Sequence, residues 1–451
     1  MSDWIDAESH ADRALEMYER GRWAEAESEL RKALSLNPDH PDWLYSLAVT
    51  LEAAGRDLEA LSTYQRVIEL DDELVDAYIA AGAACIRLGR CRTALRWLEQ
   101  AIRRAPDNEF AYAHRIDALV QLGQHDEAEA TFYLAQQSID EPTPQCLAAI
   151  AESLIERRVY ERAGWCLREC LRLEPKMPRI RARFAYVLSA TQKPQRAVQM
   201  YLRDLRDDPG NIDTLIDYGE LLVDLGRLGE AGEKFRRVLE LEPANVDAHF
   251  RLGQVAMESG RAEQAHIEYE LVLKLDRQFP CIRLALSEAL LARGHVKSAR
   301  LHLREELEAQ ANCESTDPSV PRREPNFQDL DRLGELLLQA DLPAEAARIF
   351  QSMLRLNQSA DLLRRLAIAR FRSGDLAGGV AASRRVLRFD PSCLTAIHNL
   401  ALAALKTGQL RVAAGWIARG LRVDRHDDGL RRLRMKHGLA WLRQHLAWWR
   451  S

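Results

Sequence analysis

No run of about 18 apolar residues occurs in the 451-residue sequence, so it offers no candidate for a membrane-spanning helix. The opening Met-Ser-Asp-Trp-Ile-Asp has neither the basic nor the apolar region of a secretory signal, and a cytoplasmic chain is expected. The signatures of common catalytic chemistry are missing as well. There is no phosphate loop, no HExxH, no GxSxG and no dinucleotide fingerprint. The sequence therefore predicts no enzyme and no cofactor. The 8 cysteines are scattered. Cys166 and Cys170 stand one helical turn apart, but no histidine or second cysteine pair completes a metal site, so they read as small core residues. His295 with His302, and His437 with His445, read as packed or solvated side chains.

What the sequence does have is a period. Alanine recurs at 26, 60, 94 and 128, then at 163, 197, 231, 265 and 299, a spacing of 34 with one single-residue slip. Such self-similarity marks an α-solenoid of helix-turn-helix units. In most units a glycine stands five residues before the alanine, from Gly21 and Gly55 to Gly374 and Gly408. A helix end often needs a left-handed residue, and glycine takes that conformation without a Cβ penalty. Four residues after the alanine comes a large side chain, such as Tyr64, Phe235 or Tyr269, and prolines such as Pro38, Pro106 and Pro243 close many units.

This grammar resembles that of the tetratricopeptide repeat family. One unit shows it in Leu47-Ala48, Gly55, Ala60, Tyr64 and Asp72, and Ala346, Gly379 and Ala413 carry the alanine position onward to give twelve units. The resemblance implies an all-α solenoid of about twelve repeats forming a right-handed superhelix. It also implies a non-catalytic scaffold that binds protein or peptide segments on the concave face of its first helices. The lysine and asparagine clamp of chaperone-tail-binding members is not reproduced. The asparagine ladder of arrays attached to sugar transferases is absent apart from Asn399. Three units lack the turn glycine and carry Arg158, Gln192 and Asp341 instead. A left-handed residue other than glycine costs roughly 1 to 2 kcal/mol, so a different turn geometry is expected there, with Pro194 and Pro343 opening the next helix in two of them.

The spacing breaks between Ala299 and Ala346, where a polar stretch with three prolines intervenes. The organisation expected is a nine-repeat array over 1–310, a loop or linker over 311–326, three repeats over 327–424 and a basic amphipathic capping helix over 425–451. The linker reads equally as a hinge or as a packed surface loop. Charge is divided too. From Pro343 onward Lys and Arg exceed Asp and Glu by 13, which leaves a net of −18 for the residues before it.

Counting back from each turn, positions nine, six and two residues before it share a helix face, because they follow i, i+3, i+7 spacing. They hold Asp117, Glu152, Glu156, Asp217, Glu220, Asp224, Glu258 and Glu288, an acidic track suited to a basic or polar peptide unless it is a solvated face. After the linker the inner face turns basic with Arg332, Arg364, Arg365, Arg372 and Lys406. An alternative reading therefore has the C-terminal part bind nucleic acid or an anionic membrane. The last segment carries leucines and arginines suited to a cap, and Trp448 and Trp449 suited to an anchor.

Overall fold

The computed structural model describes residues 2–141, 143–313 and 326–448. Among the described residues there are 25 helices and no strands. Most of the helices are 13 or 14 residues long, and they alternate as first and second arms about the turns the sequence marks. Hairpins run from Ser2–Glu19 with Trp23–Leu36 to Leu394–Lys406 with Leu410–Val423, and the helix Asp428–Trp448 follows them. The all-α repeat solenoid expected from the period is the architecture found.

The chain forms two compact units, Met1–Leu225 and Gly226–Ser451. The first holds six hairpins and the helix Ile212–Asp224. The second opens with Leu228–Leu241, continues through five hairpins and ends with the terminal helix. The helix Val296–Cys313 runs three residues into the stretch assigned to the linker, and residues 314–325 lie outside the described residues.

Packing explains the small-and-large pattern. The repeat alanines from Ala26 to Ala299, with Ala346 and Ala413, are fully buried. The large residue on the second arm fits over a small one on the first, sixteen positions earlier. A Cβ added at Gly82 would stand 2.7 Å from Leu98, and one added at Gly334 would stand 2.5 Å from Phe350. Both distances are far inside van der Waals contact, so those positions admit only glycine as built.

The expectation for the three glycine-free turns is corrected. Arg158, Gln192 and Asp341 adopt φ of 60°, 60° and 56°, the same left-handed region as the glycines, which span 69° to 89°. The bonding is also the same. Gly55 N–H donates to Glu52 and Arg56 N–H to Leu51, both at 2.9 Å; Arg158 N–H donates to Ile155 at 2.9 Å and Val159 N–H to Leu154 at 2.7 Å. Two amides satisfying two helix-end carbonyls, plus the interlocked arms, offset the local strain. Arg158→Gly is accordingly expected to stabilise the protein by roughly 0.5 to 1 kcal/mol, the strain relieved less the extra backbone entropy of unfolded glycine. A thermal melt checks it, and a lowered midpoint would mean that the arginine side chain contributes more than its backbone costs. Arg179 and Cys281, at φ of 63° and 60°, are left-handed as well. Each follows a proline and precedes a first arm shortened to 11 residues, Ile180–Ala190 or Ile282–Ala292.

Candidate partner-binding groove

Within the first unit four successive first arms bound a cavity of about 550 Å³. Val49 and Ala53, Ala80, Ala83 and Arg87, and His114 line it. These residues are the nine-, six- and two-before positions of their repeats, so the register read from the turns does define a concave lining here. Tyr18, Tyr45, Ile79 and Phe110 add apolar and aromatic surface, and Glu52 and Asp76 add carboxylates. The Tyr45 and Tyr64 rings lie 5.6 Å apart and tilted, an arrangement favoured by the ring quadrupoles.

Glu52 accepts a hydrogen bond from the Tyr64 hydroxyl at 2.9 Å and pairs with Arg87 at 3.0 Å. Arg87 also reaches Asp57 at 2.8 Å, so its charge is committed to the wall of the cavity. Burial, with Asp76 and Glu52 beside it, raises the pKa of Tyr45 above the usual phenol range. The site thus offers neutral rings, small apolar side chains and carboxylates. That chemistry suits the stem and polar head of a peptide side chain, and it supplies no activated nucleophile.

A charge-based reading of the sequence missed this cavity. Four of its six inner positions are Val49, Ala53, Ala80 and Ala83, which carry no formal charge, and the charge of Arg87 is paired within the wall. The available signal was an aromatic residue on three of the four first arms, Tyr18, Tyr45 and Phe110.

The acidic residues singled out by register are distributed over both units. Asp117, Glu152, Glu156, Asp217, Glu220 and Asp224 belong to the first, Glu258 and Glu288 to the second. Several already have basic neighbours: Asp117 lies 3.8 Å from His114, Glu152 3.3 Å from Arg183, and Glu156 3.6 Å from His125. Asp224 and Glu258 are exposed. Asp217 differs. Burial, reinforced by Glu220 and Asp213 against an opposing Arg179, pushes its carboxyl up to about 6.

That shift has a sign. A carboxyl whose folded pKa exceeds its unfolded value binds its proton more tightly in the native state, so stability falls as pH rises from about 4 through about 6. Asp217→Asn should remove the penalty. After solvent screening the gain is expected to be about 1 kcal/mol near pH 8 and negligible near pH 4. Melting curves of wild type and variant across this range test it, and parallel curves would show that Asp217 does not titrate there.

Four of the five basic inner positions are engaged within the protein. Arg332 bonds Glu288, and Arg364 bonds Asp361. Arg365 reaches Asp331, Glu335 at 3.1 Å and Asp361 at 2.8 Å. Arg372 donates to the Leu338 carbonyl at 3.0 Å. Lys406 is exposed at the end of its helix. Trp448 ends the terminal helix, while its side chain and the whole of Trp449 lie outside the described residues. Cys166 and Cys170 are buried, and burial raises their thiols to about 11 and about 12. A second cavity of about 590 Å³ is lined by Arg168, Lys193 and Arg196 and contains none of the inner-register residues of its repeat, 183, 186 and 190.

Stacked helical hairpins whose first arms share one lining define a helical-repeat interaction scaffold. Two family models, each described as a tetratricopeptide repeat, match residues 11–74 and 222–278, so the chain carries tetratricopeptide repeats. A model described as a bacterial transcriptional activator domain matches residues 66–142. Among curated relatives, a UDP-N-acetylglucosamine–peptide N-acetylglucosaminyltransferase of Giardia intestinalis is 33% identical over 94 residues, 21% of this chain and 6% of that protein. The human DnaJ homolog subfamily C member 7 is 23% identical over 210 residues, 47% of this chain and 38% of that protein. The chain thus spans well under half the length of these relatives. The solved human IFIT1 dimer with PPP-AAAA aligns over 84% of this chain and 90% of that one, at 16% identity and a TM-score of 0.48. Among the described residues no helix is long and apolar enough to cross a membrane.

Proposed function

We propose that this repeat scaffold grips an extended segment of a partner protein along the face of its first arms, and that its role is binding rather than catalysis. The observation that supports this is the 550 Å³ cavity lined in one register by consecutive repeats. A ligand running across those repeats meets equivalent positions at each step, which is how a solenoid reads an extended chain. The tyrosines and Phe110 are candidate anchors, since buried aromatic contacts dominate recognition energy. In the same reading Glu152, Glu156, Asp217, Glu220, Asp224 and Glu258 favour a basic or polar segment. The cytoplasm remains the compartment we assign, and the nine-plus-three grouping about 311–326 remains our reading of the repeat order. Nucleic acid or an anionic membrane at the C-terminal part gains little support, because four of its inner-face arginines are already bonded within the protein.

Ala80 and Ala83 give the test. Both face the cavity and neither is an ion-pair partner, so Ala80→Arg with Ala83→Arg should fill it without unlocking the fold. Capture of partners by the intact chain should fall at least tenfold, corresponding to a loss of about 1.4 kcal/mol, while the melting temperature holds. Undiminished capture of the same partners at the same affinity would exclude this cavity as the binding face.

A further inference from the structure

Both ends of the chain carry apolar side chains that repeat stacking leaves bare. The terminal helix Asp428–Trp448 packs through Leu430 and Leu433, which are buried, against the hairpin before it. Met435, Leu439 and Leu442 fall within about 60° of one another on the opposite side of that helix, at the rotation of an ordinary α-helix. They are 65%, 60% and 50% exposed. The end of a solenoid needs a polar outer face for solubility. Here the outer face is an apolar strip framed by the exposed Arg431, Arg432 and Lys436.

The first helix, Ser2–Glu19, mirrors it with the opposite charge. Ala7 and Ala14 are buried, whereas Trp4 and Leu15, eleven residues apart and so nearly aligned along the helix, are 56% and 60% exposed. Exposed Glu8, Asp12 and Glu19 flank that pair. Across the whole helix six acidic residues accompany a single arginine, while the terminal helix has five basic residues and one aspartate.

The geometry points to a second copy of this chain as the occupant of both faces: the acidic first helix of one molecule docks against the basic terminal helix of the next. The apolar strips supply buried area and the flanking charges supply register and selectivity. Pairing two terminal helices would set arginine against arginine. An anionic bilayer would satisfy the terminal helix alone and repel the first. A head-to-tail contact leaves one free end of each sign, so association does not stop at a dimer unless the rotation closes a ring. This inference does not depend on the groove.

Sedimentation velocity of the full chain tests it. The average mass should climb past twice that of the monomer with concentration, and should return toward the monomer as salt screens the flanking charges. Met435→Glu with Leu439→Glu, and separately Trp4→Ser with Leu15→Ser, should each give a monomer with an unchanged melting temperature, since all four side chains are exposed. Mixing the two variants is the decisive arm. Each retains one intact, complementary end, so an equimolar mixture should form a one-to-one dimer and nothing larger. A wild type that stays monomeric, or a mixture that does, overturns the proposal. A Trp4/Leu15 variant that still dimerises would assign the contact to two terminal helices. Flotation of a monomeric wild type with phosphatidylserine vesicles would assign the terminal face to a bilayer.

Discussion

Phe350→Ala is expected to cost about 3 to 5 kcal/mol, the range for truncating a fully buried aromatic that leaves a cavity behind. Phe350 is fully buried and sits over Gly334, with Met353, Leu333 and Leu337 in the same cluster. Glycine below it contributes no side chain that could collapse into the space, so the cavity is expected to remain open. The damage should also be regional, because each repeat is held by its neighbours rather than by one central core. Chemical denaturation gives the magnitude. Hydrogen exchange gives the place: faster exchange is expected in the helices Phe327–Gln339 and Pro343–Leu356, with little change in the first unit. Uniform acceleration along the whole chain would contradict a nearest-neighbour description.

Gly253→Ala is the opposite experiment, adding one carbon rather than removing a ring. An added Cβ would fall inside the Tyr269 ring's van der Waals envelope. That ring is buried and lies tilted against Phe250, which in turn contacts Phe279. A planar ring held on several sides yields poorly, so the cost expected is about 1 to 3 kcal/mol, although alanine normally improves a helix over glycine by up to about 1 kcal/mol. Gly415 provides the internal control, since a Cβ there meets nothing within 4 Å; Gly415→Ala should be neutral or stabilising. Equal melting temperatures for the two variants would mean that the arms of the repeat separate more easily than their packing indicates.

These two sites show why the fold was legible in the sequence. Small over large, at fixed offsets from a left-handed turn, is a physical requirement of the hairpin, and it recurs often enough to be counted. The site was legible only in part. Positions nine, six and two before the turn do line the cavity at Ala80, Ala83, Arg87 and His114. Their chemistry was overlooked because charge draws attention and alanine does not. The arginine-rich inner face was legible only in part for a related reason, since formal charge is read from a residue alone and its partner is not. Arg365 finds Glu335 and Arg332 finds Glu288, in each case an arginine nine before its turn meeting a glutamate six before the previous turn, so register counted from the turns could have matched both where a fixed sequence spacing could not. The left-handed Arg158, Gln192 and Asp341 escaped because tertiary packing fixed a backbone that local preference opposes. Nothing in the repeat pattern marked Leu225 and Gly226 as the division between compact units.

The central claim is that the face formed by the first arms is where partners bind, and site-specific photocrosslinking tests it most directly. A photoreactive amino acid at Ala83, inside the cavity, is compared with one at Ser62, exposed on the second arm Asp57–Leu70 and absent from the cavity lining. In cells or lysate the Ala83 probe should crosslink a discrete partner, the Ser62 probe should not, and filling the cavity with Ala80→Arg should abolish the Ala83 adduct. A partner that crosslinks equally or preferentially from Ser62, and does so regardless of Ala80→Arg, would place recognition on the outer face and contradict the account.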